Sequence, residues 1–500
     1  MNEATEKKQN PVSRLFKNAF NALAGRRPDG YHYPAEGYVR FFMIFFIVNF
    51  GIMMGAMFIT HGASFSYALF GRGVTNDLFM DFFNSIRDAV GNVYTDKNNI
   101  YPPLCILLFR FFGKFVRADY VAIDNTVKPG SKYLLQMDQR CMMIYLLFAC
   151  VCILVLVKTL SSFVSNLHAN RYADAHGKIL TMLVCVSYPM MYCLERGNIL
   201  TLCFVFTAFF VFFEGDENRL VSELALISLA LAAGIKLYPA IFGVILILEK
   251  KYKKAVRCLI YGILAFALPA VPFLIKFIRT GSAVIEPGFT FVFPGTAMIT
   301  GAVTHVQGSS FLATFAANLM RFVVNKKSSF AFSSVSIQNL VLMMDNDWII
   351  PATILYILTD IIAVFALFFV KKRWQRLFLL CYIALNVPAF SSSYSLVFLI
   401  IPFFSFLFEE PEHSKADVFY NVFYALLLTP IPTYWYHFSP AIQAWAERNG
   451  FQYTPNVNQL IGMFVFQTFF FVLLSEFIPA DGRRRKTTAL KSKKGSAAPE

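Results

Sequence analysis

Twelve apolar runs separated by short polar turns decide what this chain can become. They fall at roughly 41–60, 141–164, 178–195, 198–214, 220–234, 236–249, 256–278, 349–370, 377–390, 394–408, 417–433 and 459–480. The longer ones can each cross the hydrocarbon core of a bilayer, about 30 Å thick, as a helix. A single soluble core cannot absorb all twelve: 57% of the 500 residues are hydrophobic, 57 are Phe, and only 15% are charged. The pattern predicts an all-α polytopic membrane protein with about twelve transmembrane helices. The first run follows some 40 polar and basic residues, so it reads as a retained helix rather than a cleavable signal.

The charges orient these helices. Residues 1–40 carry a net +3, 249–257 +4, 371–376 +4 and 481–500 +5, a sum of +16 against +15 for the whole chain, so the rest is close to neutral. Short Lys/Arg-rich segments beside spans stay on the cytoplasmic side, so these four stretches mark the inner face. The organisation expected is a cytoplasmic N-terminus (1–40), a membrane domain (41–480) and a cytoplasmic tail (481–500). Residues 61–140 then form a first outer loop with interfacial helices, and 279–348 a large outer loop. Parity holds only if the run 101–116 does not cross. It opens with Pro102-Pro103 and contains Arg110 and Lys114, as a re-entrant or surface helix would. Basic charge split among two termini and two short loops also argues against a nucleic-acid partner.

Directly after the first run comes the stretch Asp77 to Pro103. At helical spacing Asp77, Asp81, Asn84 and Asp88 share one face, with Phe79, Phe83, Ile86 and Val90 opposite. The expectation is an interfacial helix whose apolar side lies in the headgroup boundary and whose carboxylates look into an aqueous cavity.

Further polar features reach the same outer face: Tyr101-Pro102-Pro103, the turn Glu195-Arg196-Gly197-Asn198, the turn Gly234 to Pro239 with Lys236 and Tyr238, and Ser391-Ser392-Ser393-Tyr394. Carboxylates and cations gathered at one membrane rim are costly and point to function. In the outer loop, His305 is the candidate for a further polar contact to substrate. Asp345-Asn346-Asp347 has a D-x-D form but precedes Trp348 and a span, so it reads as a helix start. The nine Cys lie in or beside apolar runs and read as packing residues. No pattern asks for a metal or cofactor.

Asp81-Phe-Phe-Asn-Ser-Ile, Gly91-Asn92-Val93-Tyr94, Tyr101-Pro102-Pro103-Leu104, Gly197-Asn198, Lys236-Leu237-Tyr238-Pro239 and Ser393-Tyr394, in this order and spacing, resemble glycosyltransferase family 87. The resemblance covers roughly residues 40–410. It implies a GT-C-type helical bundle that takes a sugar, most simply a hexose such as mannose, from a polyprenyl-phosphate donor. The cavity would open to the outer face, with Asp81 as general base. The residues fit that chemistry: a base for the acceptor hydroxyl in Asp81, and cations for the departing phosphate in Lys236 and Arg196. Asp77, Tyr101, Asn198, Tyr238, His305 and Tyr394 complete the candidate substrate-binding set. The partners implied are the lipid-linked donor, a lipid or glycan acceptor and the bilayer. The membrane would be a bacterial plasma membrane, or the endoplasmic reticulum in a eukaryote. The rival reading is a secondary transporter or flippase of lipid-linked sugars. That reading asks for mid-membrane charges in two related halves, and no internal repeat is visible.

Overall fold

The computed structural model describes residues 33, 35–62, 78–89, 101–124, 134–167, 171–281, 335–338, 341, 349–386, 392–414, 416–432 and 457–477. Every regular element among them is helical. The first half holds α1 (Glu36–Ile59), α2 (Met80–Asp88), α3 (Pro103–Gly113), α4 (Ala118–Asp124), α5 (Leu134–Met137), α6 (Gln139–Leu167), α7 (Arg171–Cys185) and α8 (Tyr188–Glu195). After these come α9 (Leu200–Phe213), α10 (Arg219–Ile235), a 3-10 turn (Tyr238–Gly243), α11 (Val244–Leu248) and α12 (Tyr252–Gly281). The last part has α13 (Ile349–Phe369), α14 (Arg373–Asn386), a second 3-10 turn (Ser393–Leu399), α15 (Ile400–Phe408), α16 (Asp417–Leu428) and α17 (Val457–Ser475).

Four of these helices are long and apolar enough to cross a membrane: Glu36–Ile59, Gln139–Leu167, Tyr252–Phe273 and Asn458–Ser475. The expected single span 178–195 is broken. Ala173–Cys185 and Tyr188–Glu195 meet at a 43° bend, and together they would make a fifth crossing. Pro189 in the first turn of α8 explains the break, since it lacks the N–H that would continue the α7 ladder. The runs expected at 236–249 and 394–408 each open with a 3-10 turn, the first containing Pro239. By length and composition the described residues therefore hold four or five crossings, and shorter apolar segments of 10–17 residues include Pro103–Gly113, Leu200–Phe213, Ile354–Phe369 and Asp417–Leu428. α3 is among the short ones. At about 1.5 Å per residue its 11 residues span roughly 16 Å, too few to cross alone.

Helix burial separates the interior from the lipid-facing surface. In α14 every side chain from Leu377 to Asn386 is buried, whereas α12 exposes Val256, Leu259, Ile260, Ile263 and Leu268. An apolar face open to the outside is stable only against hydrocarbon.

Two central helices, α9 and α10, run antiparallel between two polar ends. At one end Glu214, almost completely buried, pairs with Lys251 at 2.5 Å and with Lys254 at 3.6 Å. Arg373 joins Glu249 (3.0 Å) and Glu409 beside it. These pairs tie together the loops 249–257 and 371–376, which carry the positive charge expected on one face. Burial alone would push the Glu249 carboxyl up, but Arg373 and Lys251 outweigh it and hold it below its ordinary range. At the other end lie Asn198 and Lys236. The 14 residues of α9 set the two ends about 21 Å apart.

Candidate active site

The site is assembled where α2 docks on the turn after α8. Phe79 precedes α2 in the left-handed region (φ 58°), and its N–H donates to Glu195 O at 2.7 Å. Two residues on, Asp81 N–H donates to Arg196 O at 2.9 Å. Gly197 makes this approach possible. It has φ +65°, and a Cβ placed on it would lie 2.7 Å from Phe79 O and 2.9 Å from Phe79 Cα. A side chain is excluded there by both conformation and space.

The apolar face of α2 does not lie in the headgroup boundary, as its spacing suggested. Phe82, Phe83 and Ile86 are buried, and the Phe82 ring sits 5.3–5.6 Å from those of Phe109, Phe112, Tyr145 and Phe148. Period alone cannot tell a lipid-facing stripe from one packed on α3 and α6, because both want the same residues. Each such ring pair contributes about 0.5–1.5 kcal/mol beyond area burial, so α2 is held as part of the protein. Phe79, expected on that helical face, lies ahead of the helix with its ring 4.4 Å from Tyr145. Asp88 pairs with its neighbour Arg87 at 2.9 Å.

This docking presents the Asp81 carboxylate to two side chains from a distant part of the chain. Arg196 Nη2 donates to its Oδ1 at 2.6 Å, and Asn198 Nδ2 to its Oδ2 at 2.7 Å. Asn198 Oδ1 in turn accepts from Leu200 N–H and from Lys236 Nζ, both at 3.0 Å. Asp81, Asn198 and Lys236 thus form one hydrogen-bonded row, with Arg196 on the opposite carboxylate oxygen. Burial works against the Arg196 charge, but the Asp81 carboxylate beside it more than compensates and holds the guanidinium above its ordinary range.

Lys236 is only 6% exposed and ends α10 in an extended conformation. Its Nζ lies 5.9 Å from the centre of the Tyr101 ring, within cation–π range. Gly234 lets α10 close up. A Cβ there would meet Leu104 at 3.0 Å and the Ala265 carbonyl at 3.1 Å. Tyr394, buried on the second 3-10 turn, stands within electrostatic reach of Asp81, Tyr101 and Arg196. Tyr238 is within the same reach of Tyr394 and Tyr101.

Seven of the nine candidate residues are therefore neighbours: Asp81, Tyr101, Arg196, Asn198, Lys236, Tyr238 and Tyr394. Asp77 and His305 lie outside the described residues, as do Gly91-Asn92 and Asp345-Asn346-Asp347. Arg196, expected to face a phosphate, is committed on one side to Asp81. Sequence reasoning missed Phe79 and Gly197 as the joint that makes the site, although the glycine beside Arg196 and Asn198 was the available signal. It also missed Tyr192, whose hydroxyl receives Ser392 Oγ at 3.4 Å and Gln459 Nε2 at 3.3 Å and whose ring meets Tyr394 edge-on at 5.7 Å. Among the described residues no group of three or more His, Cys, Asp or Glu is placed to hold a metal ion.

The described helices form a membrane-type bundle in which a carboxylate and two cations converge at the helix ends. The family model for glycosyltransferase family 87 matches residues 99–402, well over half of the chain, and the protein belongs to that family. The match spans Tyr101, Arg196, Asn198, Lys236, Tyr238, His305 and Tyr394 and stops short of Asp81, which is tied to it by the geometry above. No curated protein and no solved structure compared with the chain matches it.

Proposed function

We propose that the protein transfers a sugar, most simply a hexose such as mannose, from a polyprenyl-phosphate donor to a lipid or glycan acceptor on the outer face of its membrane. Transfer proceeds with inversion and Asp81 as general base. The observation that carries this reading is the double hydrogen bond to Asp81 from Arg196 and Asn198. Two donors, one of them charged, fix the orientation of the carboxylate. A carboxylate oxygen has two lone-pair sites. These two bonds take one on each oxygen and leave one on each for an acceptor hydroxyl.

The leaving group needs positive charge. Lys236 spends one of its three N–H donors on Asn198, and the other two suit a phosphate. Arg196 has five N–H donors in a planar fork, so it can hold Asp81 with one edge and a phosphate oxygen with the other. Asn198 sets the spacing between base and cation, while Tyr101, Tyr238 and Tyr394, with Asp77 and His305, line the sugar. The charge of the basic loops supports a cytoplasmic position for the opposite helix ends, and the proposed membrane is a bacterial plasma membrane or, in a eukaryote, that of the endoplasmic reticulum.

The rival is a transporter or flippase of lipid-linked sugars, which would move label without forming a bond. The deciding experiment supplies the purified protein in liposomes with a polyprenyl-phosphate radiolabelled sugar and a lipid extract. Label in a new glycolipid or glycan supports transfer, and label that only changes leaflet overturns it.

A further inference from the structure

A carboxyl group sits midway along an apolar helix, away from the basic loops. Asp360 is the twelfth of the 21 residues of α13, and its flanks Ile357, Leu358, Ile361 and Ile362 are exposed apolar side chains turned to hydrocarbon. Its one recorded hydrogen bond comes from Asn386 Nδ2 to Oδ1 at 2.8 Å. Asn386 closes α14, is only 1% exposed, and its own Oδ1 is buried with no hydrogen-bond partner among the described residues. The other groups around the pair are neutral. Tyr356 and Tyr382 flank it, Thr359 Oγ donates to Tyr356 O, and Tyr382 donates to Gln467 Oε1 from α17 at 2.8 Å. No Lys, Arg or His among the described residues offsets a charge on Asp360.

Two anomalies share one remedy. An ionised carboxylate at this depth, helped by a single amide, carries a large desolvation penalty. Beside it, an amide oxygen lacks a donor, which is rare for a buried group. A proton on Asp360 Oδ2 removes both. The acid O–H donates to Asn386 Oδ1 while Asn386 Nδ2 donates to Asp360 Oδ1, closing a ring of two hydrogen bonds.

We propose that Asp360 and Asn386 form a proton-binding site within the membrane, with the Asp360 carboxyl protonated at neutral pH and hydrogen-bonded to Asn386 Oδ1. The site joins α13 to α14 through neutral groups. Asn386 ends α14, which packs on the turn carrying Tyr394. The inference does not depend on the proposed reaction.

Infrared spectroscopy of the full chain in nanodiscs at neutral pH tests it. Wild type should show a carboxylic acid C=O band that shifts on exchange into D2O and is missing from Asp360→Asn. Asn386→Leu, which keeps the acid and removes its partner, should move that band to higher frequency. This second variant decides the matter should Asp360→Asn fail to fold. Absence of the band in wild type overturns the proposal. So does a rise in melting temperature on adding sodium that occurs in wild type and not in Asp360→Asn, because the occupant would then be a metal cation.

Discussion

The carbonyl of Phe79 and the Cα of Gly197 face each other across a gap too small for a methyl group. A Cβ on residue 197 would come within 2.7 Å of that oxygen. Gly197→Ala must therefore push α2 away from the turn, and its positive φ adds strain of about 1 kcal/mol or more. The backbone bonds from Phe79 and Asp81 are lost with it. The expected outcome is a loss of transfer of at least about tenfold, as befits an ångström-scale displacement of a positioned group. Steady-state kinetics on the folded variant checks this, and an unchanged rate would show that the joint does not set the site.

Asp81→Asn should lower turnover by about 10² to 10⁴, the usual cost of a lost general base. It also leaves Arg196 without its counter-charge and sets an amide N–H against Asn198 Nδ2 or Arg196. A fall in stability of about 1–3 kcal/mol is therefore expected alongside. Single-turnover rates with saturating donor separate the two effects. A folded variant that keeps more than about a tenth of the rate would place the base elsewhere.

Lys236→Met preserves the length of the side chain and removes its charge. A lost hydrogen bond to a charged group costs about 1.5–3 kcal/mol, so the Kd for donor should rise roughly 10- to 100-fold. Titration with polyprenyl phosphate measures it. Unaltered affinity in the folded variant would leave Lys236 as a partner of Asn198 alone.

Lys253→Cys on a Cys-free background tests orientation. The basic loop 249–257 should be inaccessible to an impermeant thiol reagent added from outside and accessible in inverted vesicles. Labelling of intact cells would reverse the scheme.

The sequence already marked Asp81, Arg196, Asn198 and Lys236, because ionisable groups among apolar runs stand out and their rim position follows from charge. It could not say which would pair. Asp81 meets residues 115 and 117 positions away, and no local period carries a contact of that separation. The apolar stripe of α2 was legible too, but its neighbour was not: Phe82 suits lipid and Phe109 equally well. Asp360 went unremarked for a related reason, since a single acid inside a long apolar run gives no hint of its partner until α14 is folded beside it.

The length of α9 has one more consequence. Its 14 residues cover about 21 Å, whereas the hydrocarbon layer is about 30 Å thick. Were Glu214 at one boundary of that layer, the row from Asp81 to Lys236 would lie about 9 Å beneath the other. A substrate arriving from water must reach down through that depth, while one carried on a lipid is already there. For the proposed transfer, reach alone would then favour acceptors whose hydroxyl travels with a membrane anchor over free sugars of the same chemistry.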